Sequence, residues 1–266
     1  MNIQPLTQTD IPSITELQPE GWGDILPAIE FYTNNNFCFP IKVVMDHVVI
    51  GMGTAIIHND VAWLAHIIVH PNNRNKGIGR LITQTLVDSP QVRNCETIYL
   101  IATDLGAPVY EKIGFETDTN YLFFKDIVTG ENWINDKNIL PYKDEFKNQV
   151  AALDKQVSGE DRMFHLDQWL ADSYVYLHKN TVEGFYLPAF GEGLIYATNK
   201  IAGTELMKYR FVTKQNIVFP VDNVHATEFM YNNNYKEFRV AKRMILGKKR
   251  NWQPENIYSR IGGNLG

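Results

Sequence analysis

The fold of this chain is decided by the stretch His66-Ile67-Ile68-Val69-His70-Pro71-Asn72-Asn73-Arg74-Asn75-Lys76-Gly77-Ile78-Gly79-Arg80. It begins as an apolar strand and ends as the start of a helix, with a turn between them. A helix N-terminus leaves backbone N–H groups without intrahelical partners and carries partial positive charge, so it favours phosphate. Glycine also lets the backbone approach a ligand closely, because it has no Cβ. The stretch therefore predicts a cradle for a pyrophosphate group, with Arg74 and Lys76 beside it.

Two other phosphate-binding patterns do not fit the stretch. A P-loop requires Gly-x-x-x-x-Gly-Lys-Ser/Thr, which is absent. A dinucleotide-binding fingerprint requires a third glycine where this sequence has Ile82. What remains is Val-x-Pro-x-x-Arg-x-x-Gly-x-Gly, which begins at Val69 and ends at Gly79. This pattern resembles the acetyl-CoA-binding motif of the GCN5-related N-acetyltransferase (GNAT) superfamily.

The resemblance implies which residues hold the co-substrate acetyl-CoA. In that superfamily the residues corresponding to Arg74 through Gly79 wrap the CoA pyrophosphate with main-chain amides. The resemblance therefore implies a cofactor-binding set of Ile67, Val69, Arg74, Asn75, Lys76, Gly77, Ile78, Gly79, Arg80, Asp104 and Ala107. No metal is expected, because Cys38 and Cys95 have no metal-ligand spacing.

A second motif follows at the expected separation. The run Ala107-Pro108-Val109-Tyr110-Glu111-Lys112-Ile113-Gly114-Phe115 resembles the superfamily's A-x-x-x-Y-x-x-x-G-F region, shortened by one residue. There the tyrosine stands beside the sulfur of CoA, which implies that role for Tyr110. Phe115 is expected to be a core aromatic residue. The alternative for Tyr110 is also a core aromatic at a helix–strand corner.

The first half of the chain has an element order that matches the superfamily's domain. Hydrophobic periodicity and turn residues predict β-α-α-β-β-β-α-β-α-β over residues 1–127. We therefore expect an α/β (α+β, mixed-sheet) class and the GNAT acyl-CoA N-acyltransferase fold. Residues 1–127 would be the catalytic domain that binds acetyl-CoA.

The second half is interpreted as a weak internal duplication. Residues 128–165 are expected to be a connector with one or two helices, over Leu140–Lys155 and Asp161–Ala171. Residues 166–266 are expected to be a smaller, degenerate GNAT-like domain. In that copy Gly191-Glu192-Gly193 would take the place of the cradle, without its arginine, and Met230 the place of Tyr110. The alternative is one long α/β domain whose ends resemble each other by chance.

The implied chemistry is acetyl transfer from acetyl-CoA to a primary amine by direct attack in a ternary complex. An alkyl amine is mostly protonated at neutral pH, so a base or a water chain must take a proton. Tyr110 is the candidate acid for the leaving thiolate, and a strand amide near Val69 is the implied donor to the thioester oxygen. His66 is the candidate catalytic residue on the acceptor side, with Asp24 and Glu30 as alternatives. A structural role for His66 also stays open, and a β-bulge would break its strand alternation.

The acceptor side is expected to be shaped by the second helical region. Its candidate substrate-binding residues are Trp22, Glu30, Tyr32 and Trp63. The preferred function is an N-acetyltransferase acting on a small-molecule amine. The alternative is a non-catalytic acetyl-CoA-binding sensor or interaction protein that kept the cradle and lost transfer.

Composition limits the other classes of partner. The net charge is −5, and a nucleic-acid binder usually shows a basic excess, so no nucleic-acid partner is expected. No signal peptide or long apolar span is recognised, so we expect a cytoplasmic protein with no membrane partner. A homodimer is left open.

Overall fold

The computed structural model describes residues 1–130, 133 and 136–266 and contains two compact units. The first unit comprises 1–117, 244–249 and 263–265, and the second comprises 118–243, 250–262 and Gly266. The domain boundaries at residues 127 and 165 stay predictions. Four residues of the predicted connector, 131, 132, 134 and 135, lie outside the described residues.

The first unit is built on a mixed sheet. Its strands are β1 (Asn2–Pro5), β2 (Cys38–Met45), β3 (Val48–His58), β4 (Val61–Val69) and β5 (Thr97–Ala102). They neighbour one another in chain order, antiparallel up to β4 and parallel between β4 and β5. The helices are α1 (Ile11–Ile14), α2 (Leu26–Asn34), α3 (Ile78–Val87), α4 (Pro90–Arg93) and α5 (Ala107–Glu111). The predicted α/β class with a mixed sheet is confirmed.

Helix α3 packs closely on β3 because two strand residues lack side chains. Ile78, Ile82 and Leu86 are buried on one face of α3, at helical spacing. A Cβ at Gly53 would lie 2.6 Å from Ile82 Cγ2, and one at Gly51 would lie 3.0 Å from Ile82 Cδ1. These glycines let the helix approach the sheet, which fixes where the N-terminus of α3 lies.

Strand β4 extends beyond the end of its pairing with β5, and we call the region beside this unpaired part the gap between β4 and β5. The parallel register joins Val61–Leu64 to Thr97–Leu100, whereas β4 continues to Val69. On the other edge, His70 N donates to Ile50 O of β3. Because successive strand amides point to opposite edges, Val69 N–H points toward the side that β5 has left.

A β-bulge interrupts β4 at His66. The register with β3 shifts between Met52, which faces Ile68, and Thr54, which faces Ala65. His66 takes φ 46°, a left-handed conformation that is unusual for a residue with a Cβ. The simple alternation of His66, Ile68 and His70 therefore does not hold.

The second unit contains most of the remaining elements. Its strands, two of which have their ends in the first unit, are β6 (Glu116–Phe124), β7 (Ile139–Pro141), β8 (Tyr174–His178), β9 (Thr181–Leu187), β10 (Leu194–Ala197), β11 (Ile217–Pro220), β12 (Arg239–Gly247) and β13 (Ile257–Ser259). Its helices are α6 (Lys147–Ser158), α7 (Met163–Leu166), α8 (Lys200–Phe211) and α9 (Val224–Asn232). One sheet has the order β13-β10-β9-β8-β7, and β11 pairs with β6.

Two expectations for the second half are wrong. The turn Gly191-Glu192-Gly193 connects the antiparallel strands β9 and β10, so it does not precede a helix. The strand-to-helix turn lies at Thr198-Asn199, before α8. The predicted helix Leu140–Lys155 begins as the short strand β7, which pairs with β8, and α6 starts only at Lys147.

Candidate active site

The cradle is formed by the turn between β4 and α3. Pro71–Asn73 form one turn of 3-10 helix, and Arg74 Nε donates to Val69 O at 3.3 Å. Lys76 Nζ donates to Asn72 O at 3.0 Å. The exposed cations therefore brace the turn through backbone carbonyls and have no carboxylate partner among the described residues.

Backbone amides at the start of α3 are available to a ligand. The hydrogen bonds that close α3 begin with Leu81 N donating to Gly77 O. The N–H groups of Ile78, Gly79 and Arg80 precede that ladder, as expected at a helix N-terminus. Gly77 takes φ 79° and Asn75 takes φ 62°, which turns the chain into the helix. The predicted cradle residues from Arg74 to Arg80 are thus contiguous around one helix N-terminus.

The two cradle glycines face open space. A Cβ at Gly77 would meet nothing within 4 Å, and one at Gly79 would meet only Val69 Cγ2 at 3.8 Å. The protein itself therefore leaves the space over both residues unfilled. This arrangement fits a group that approaches the backbone directly, which a pyrophosphate does.

Tyr110 lies in the short helix α5, which follows β5 in the chain. It is 8% exposed and packs over Gly106 at the start of α5, with Phe115 at a ring-centroid distance of 6.1 Å. Burial raises the pKa of its hydroxyl far above the usual value of 10.0. Tyr110 is therefore protonated at any physiological pH and holds a proton to give. Ala107 is buried in the same corner and Asp104 is exposed beside it.

His66 and Tyr32 are in direct contact. Tyr32 Oη lies 2.8 Å from His66 Nδ1, and the edge of the half-exposed Trp22 ring faces the imidazole at a centroid distance of 6.0 Å. Burial lowers the pKa of His66 to about 4. His66 is therefore neutral at pH 7 and a weak base. Its predicted place on the acceptor side is supported by these contacts, whereas its role as the base stays a prediction that the low pKa disfavours.

Two predicted acceptor residues lie elsewhere. Trp63 is 1% exposed and packs on Tyr99 at 5.0 Å between ring centroids, so it offers no surface to a substrate. Glu30 is exposed on α2, and its helical spacing places it away from the buried face of Ile29 and Tyr32. The alternative base Asp24 instead accepts a hydrogen bond from Leu26 N at the start of α2.

Two residues of this region were not found from the sequence. Gln18 Nε2 donates to Gly23 O at 3.0 Å, and Gln18 Oε1 accepts from Ile25 N at 3.2 Å, so this side chain shapes the Trp22 loop. Asn264 Nδ2 donates to Tyr32 Oη at 3.0 Å. No local pattern marks Asn264, because its partner lies 232 residues away in sequence.

The corresponding place in the second unit is filled by the chain itself. Strand β13 pairs with β10, and Arg260 N donates to Val218 O of β11. Tyr258 Oη donates to Asn199 O, and a Cβ at Gly203 would lie 2.1 Å from the Tyr258 ring. The first turn of α8 is therefore covered by an aromatic ring. Glu192 is ion-paired with Arg260 at 2.7 Å.

The sequence model of the acetyltransferase (GNAT) family matches residues 6–115. This segment contains the cradle, Tyr110 and the acceptor-side helix α2. Residues 6–115 belong to the GNAT family. The family match supports acyl transfer as the general chemistry, and GNAT proteins generally use acetyl-CoA as the acyl donor.

Solved structures show that the GNAT-like fold extends over the chain. An acetyltransferase from Pyrococcus horikoshii aligns over 100% of this chain and 95% of its own, with a TM-score of 0.84 and 19% identity. A tandem GNAT protein from the clavulanic acid biosynthesis pathway aligns over 92% of this chain and 98% of its own, with a TM-score of 0.62 and 12% identity. The tandem GNAT architecture is thus confirmed as a fold. No curated protein matches the sequence significantly.

Over the residues that the structure describes, no helix is long and apolar enough to cross a membrane. In the same residues, no group of three or more His, Cys, Asp or Glu side chains is placed to hold a metal ion.

Proposed function

We propose that the GNAT domain transfers an acetyl group from acetyl-CoA to a primary amine of a small molecule by direct attack in a ternary complex. The observation that carries this proposal is the cradle. The cradle lies at the end of β4, beyond the point where β4 pairs with β5. It contains free helix N-terminal amides, two glycines that face open space and two exposed cations. This set suits a pyrophosphate-bearing thioester better than it suits a dinucleotide.

The residues at the gap between β4 and β5 have complementary parts in the transfer. Val69 N–H donates to the thioester oxygen as negative charge develops there. The amine nitrogen bonds to the acetyl carbon, the carbon–sulfur bond breaks, and Tyr110 gives its proton to the departing sulfur. The proton released by the amine leaves through water at the half-exposed side near Trp22 and His66. Solvent then restores the proton on Tyr110.

The experiment is release of CoA thiol from acetyl-CoA in the presence of a panel of primary amines. Loss of an acid that acts in the transition state typically costs 10²–10⁴-fold in rate, so Tyr110→Phe should lower kcat by roughly that factor while acetyl-CoA still binds. The matched control is Tyr121→Phe, which removes another buried tyrosine hydroxyl, in the second unit. Binding of acetyl-CoA without transfer to any amine would favour the sensor alternative instead.

A further inference from the structure

Asn264 completes a hydrogen-bonded chain of three side chains on the acceptor side. Residues 263–265 belong to the first unit, together with Tyr32 and His66. Asn264 Nδ2 lies 3.0 Å from Tyr32 Oη, which lies 2.8 Å from His66 Nδ1. Tyr32 is 1% exposed, so bulk solvent does not reach its hydroxyl. The direction of these two hydrogen bonds therefore determines where protons sit.

With Nδ2 of Asn264 turned toward Tyr32, the available donors and acceptors set that direction. Asn264 Nδ2 can only donate, so Tyr32 Oη accepts from it, and the phenol proton must go to another acceptor. His66 Nδ1 is the acceptor within reach among the described residues. If Nδ1 carried a proton, the phenol proton would be buried without an acceptor, which is unfavourable. His66 Nδ1 is therefore unprotonated.

A neutral imidazole with an unprotonated Nδ1 carries its proton on Nε2. Within the part of the chain that the structure describes, no residue is a hydrogen-bond partner of Nε2. His66 thus presents an N–H donor beside the Trp22 ring. A molecule with an oxygen atom near its amine can accept this hydrogen bond. A protonated polyamine has only donors and cannot.

We infer that Asn264 is a positioning residue that holds His66 in its Nε2–H form, so that the site favours primary amines bearing a hydroxyl, carbonyl or carboxylate oxygen. The preference for such amines rests on the proposed function, whereas the proton position on His66 does not. Asn264 acts on His66 through its hydrogen bond to Tyr32.

The substitution Asn264→Asp should reverse the direction of both hydrogen bonds, from residue 264 to Tyr32 and from Tyr32 to His66, with little change in side-chain shape. At pH 8 the introduced carboxylate can only accept, so the Tyr32 hydroxyl donates to it. Tyr32 Oη then accepts from His66, whose proton moves to Nδ1. Nitrogen-15 NMR of the imidazole distinguishes the two forms directly. The matched control is Asn251→Asp, which introduces the same charge at an exposed residue of the second unit.

The NMR result decides the role of Asn264 whether or not the protein acetylates amines. We expect Nε2–H in the wild type and in Asn251→Asp, and Nδ1–H in Asn264→Asp. A wild-type protein with Nδ1–H, or a folded Asn264→Asp variant that keeps Nε2–H, would overturn the inference. If Asn264→Asp does not fold, Tyr32→Phe replaces it, and the inference then requires the Nε2–H population to fall.

Kinetics test the preference for amine substrates separately. With acetyl-CoA saturating, Asn264→Asp should lower kcat/KM for an amino alcohol or amino amide roughly tenfold relative to a polyamine, because the donor at Nε2 is lost. Unchanged relative rates would overturn the preference. If the wild type acetylates no amine at all, the proposed function fails while the NMR result still stands.

Discussion

At the scale of single residues, packing does not require a glycine at position 79, which fits the proposed role of Gly79 in holding a ligand. It lies in α3, where glycine is about 1 kcal/mol less favourable than alanine in a helix interior. The space around it would admit a Cβ, with its nearest contact at 3.8 Å. Gly77 differs, because its φ of 79° favours glycine by itself. The two glycines of one motif therefore have separate physical reasons.

This difference predicts opposite effects of two alanine substitutions. Gly79→Ala should raise the free energy of unfolding, by up to ~1 kcal/mol, yet weaken binding of acetyl-CoA. Gly77→Ala should lower the free energy of unfolding by about 1 kcal/mol, because alanine is strained at positive φ. Urea unfolding and calorimetric titration check both. A Gly79→Ala variant with unaltered affinity would contradict the assignment.

His66 makes a prediction about pH. Because its folded-state pKa is about 4, below the ordinary value of 6.5, the unfolded chain binds more protons between these two values. Its contribution to stability is therefore complete above pH 6.5 and is lost as pH falls toward 4. His66→Gln should show a shallower acid loss of stability than the wild type, measured by urea unfolding from pH 7 to 4. If the free energy of unfolding falls equally steeply with pH in both proteins, the lowered pKa of His66 is refuted.

Residue-level prediction from sequence succeeded where the signal is local. The cradle residues lie within one turn of chain, so their spacing alone indicated a helix N-terminus. Gln18 and Asn264 gave no such signal, because a side-chain amide is informative only once its partners are known. Trp63 was misplaced for a related reason, since an aromatic residue on a strand is compatible with a pocket or with the core.

At the scale of elements, the site depends on how β4 is flanked. Strand β4 pairs with β3 along its length and with β5 only as far as Leu64. Its bulge lies at His66. Helix α3 then starts where β4 ends and is seated on β3 through Gly51 and Gly53. The gap, the bulge and the helix N-terminus are thus set by one strand and its neighbours.

The seating of α3 can be tested at Gly53. A Cβ there would lie 2.6 Å from Ile82 Cγ2, so Gly53→Ala should destabilise the protein by roughly 1–3 kcal/mol through overpacking. It should also weaken acetyl-CoA binding, because the helix N-terminus would shift. Gly23→Ala is the control, since a Cβ there meets nothing within 4 Å. Equal melting temperatures for the two variants would contradict this packing.

Elements were predicted well where periodicity extends over many residues. The alternating and helical patterns of the first half predicted its element order except for the short helix α4, which has only four residues. The strands β7 and β13 were missed because each has three residues, too few to show a period. The Gly191–Gly193 turn was misassigned because a glycine pair is equally suited to a strand hairpin and to a cradle.

At the scale of the whole molecule, the two units share a fold and differ in how exposed the helix after the central strand is at its N-terminus. In the first unit the space over the cradle is open, since a Cβ at Gly77 would meet nothing within 4 Å. In the second, β13 occupies the place between β10 and β11, and Tyr258 covers the start of α8. Together with the missing arginine, the position of Tyr258 is a reason to expect no acetyl-CoA site in the second unit.

This difference predicts a binding stoichiometry. Calorimetric titration with acetyl-CoA should give one site per chain, and the affinity of that site should be unchanged in Lys200→Ala, which alters the exposed start of α8. Two equivalent sites per chain would show that β13 does not exclude a ligand.

The central claim is that the helix N-terminus at Gly77–Arg80 holds the pyrophosphate of CoA. Thermal unfolding should be followed with acetyl-CoA, CoA and acetyl-pantetheine, which lacks the pyrophosphate, for the wild type and Gly79→Asp. A ligand at 100 times its Kd stabilises the native state by about 2.7 kcal/mol, which is a readily measured rise in Tm. We predict that acetyl-CoA and CoA raise the Tm of the wild type, that acetyl-pantetheine does so far less, and that Gly79→Asp abolishes the rise. No rise with either CoA form, or an equal rise in the variant, would contradict the account.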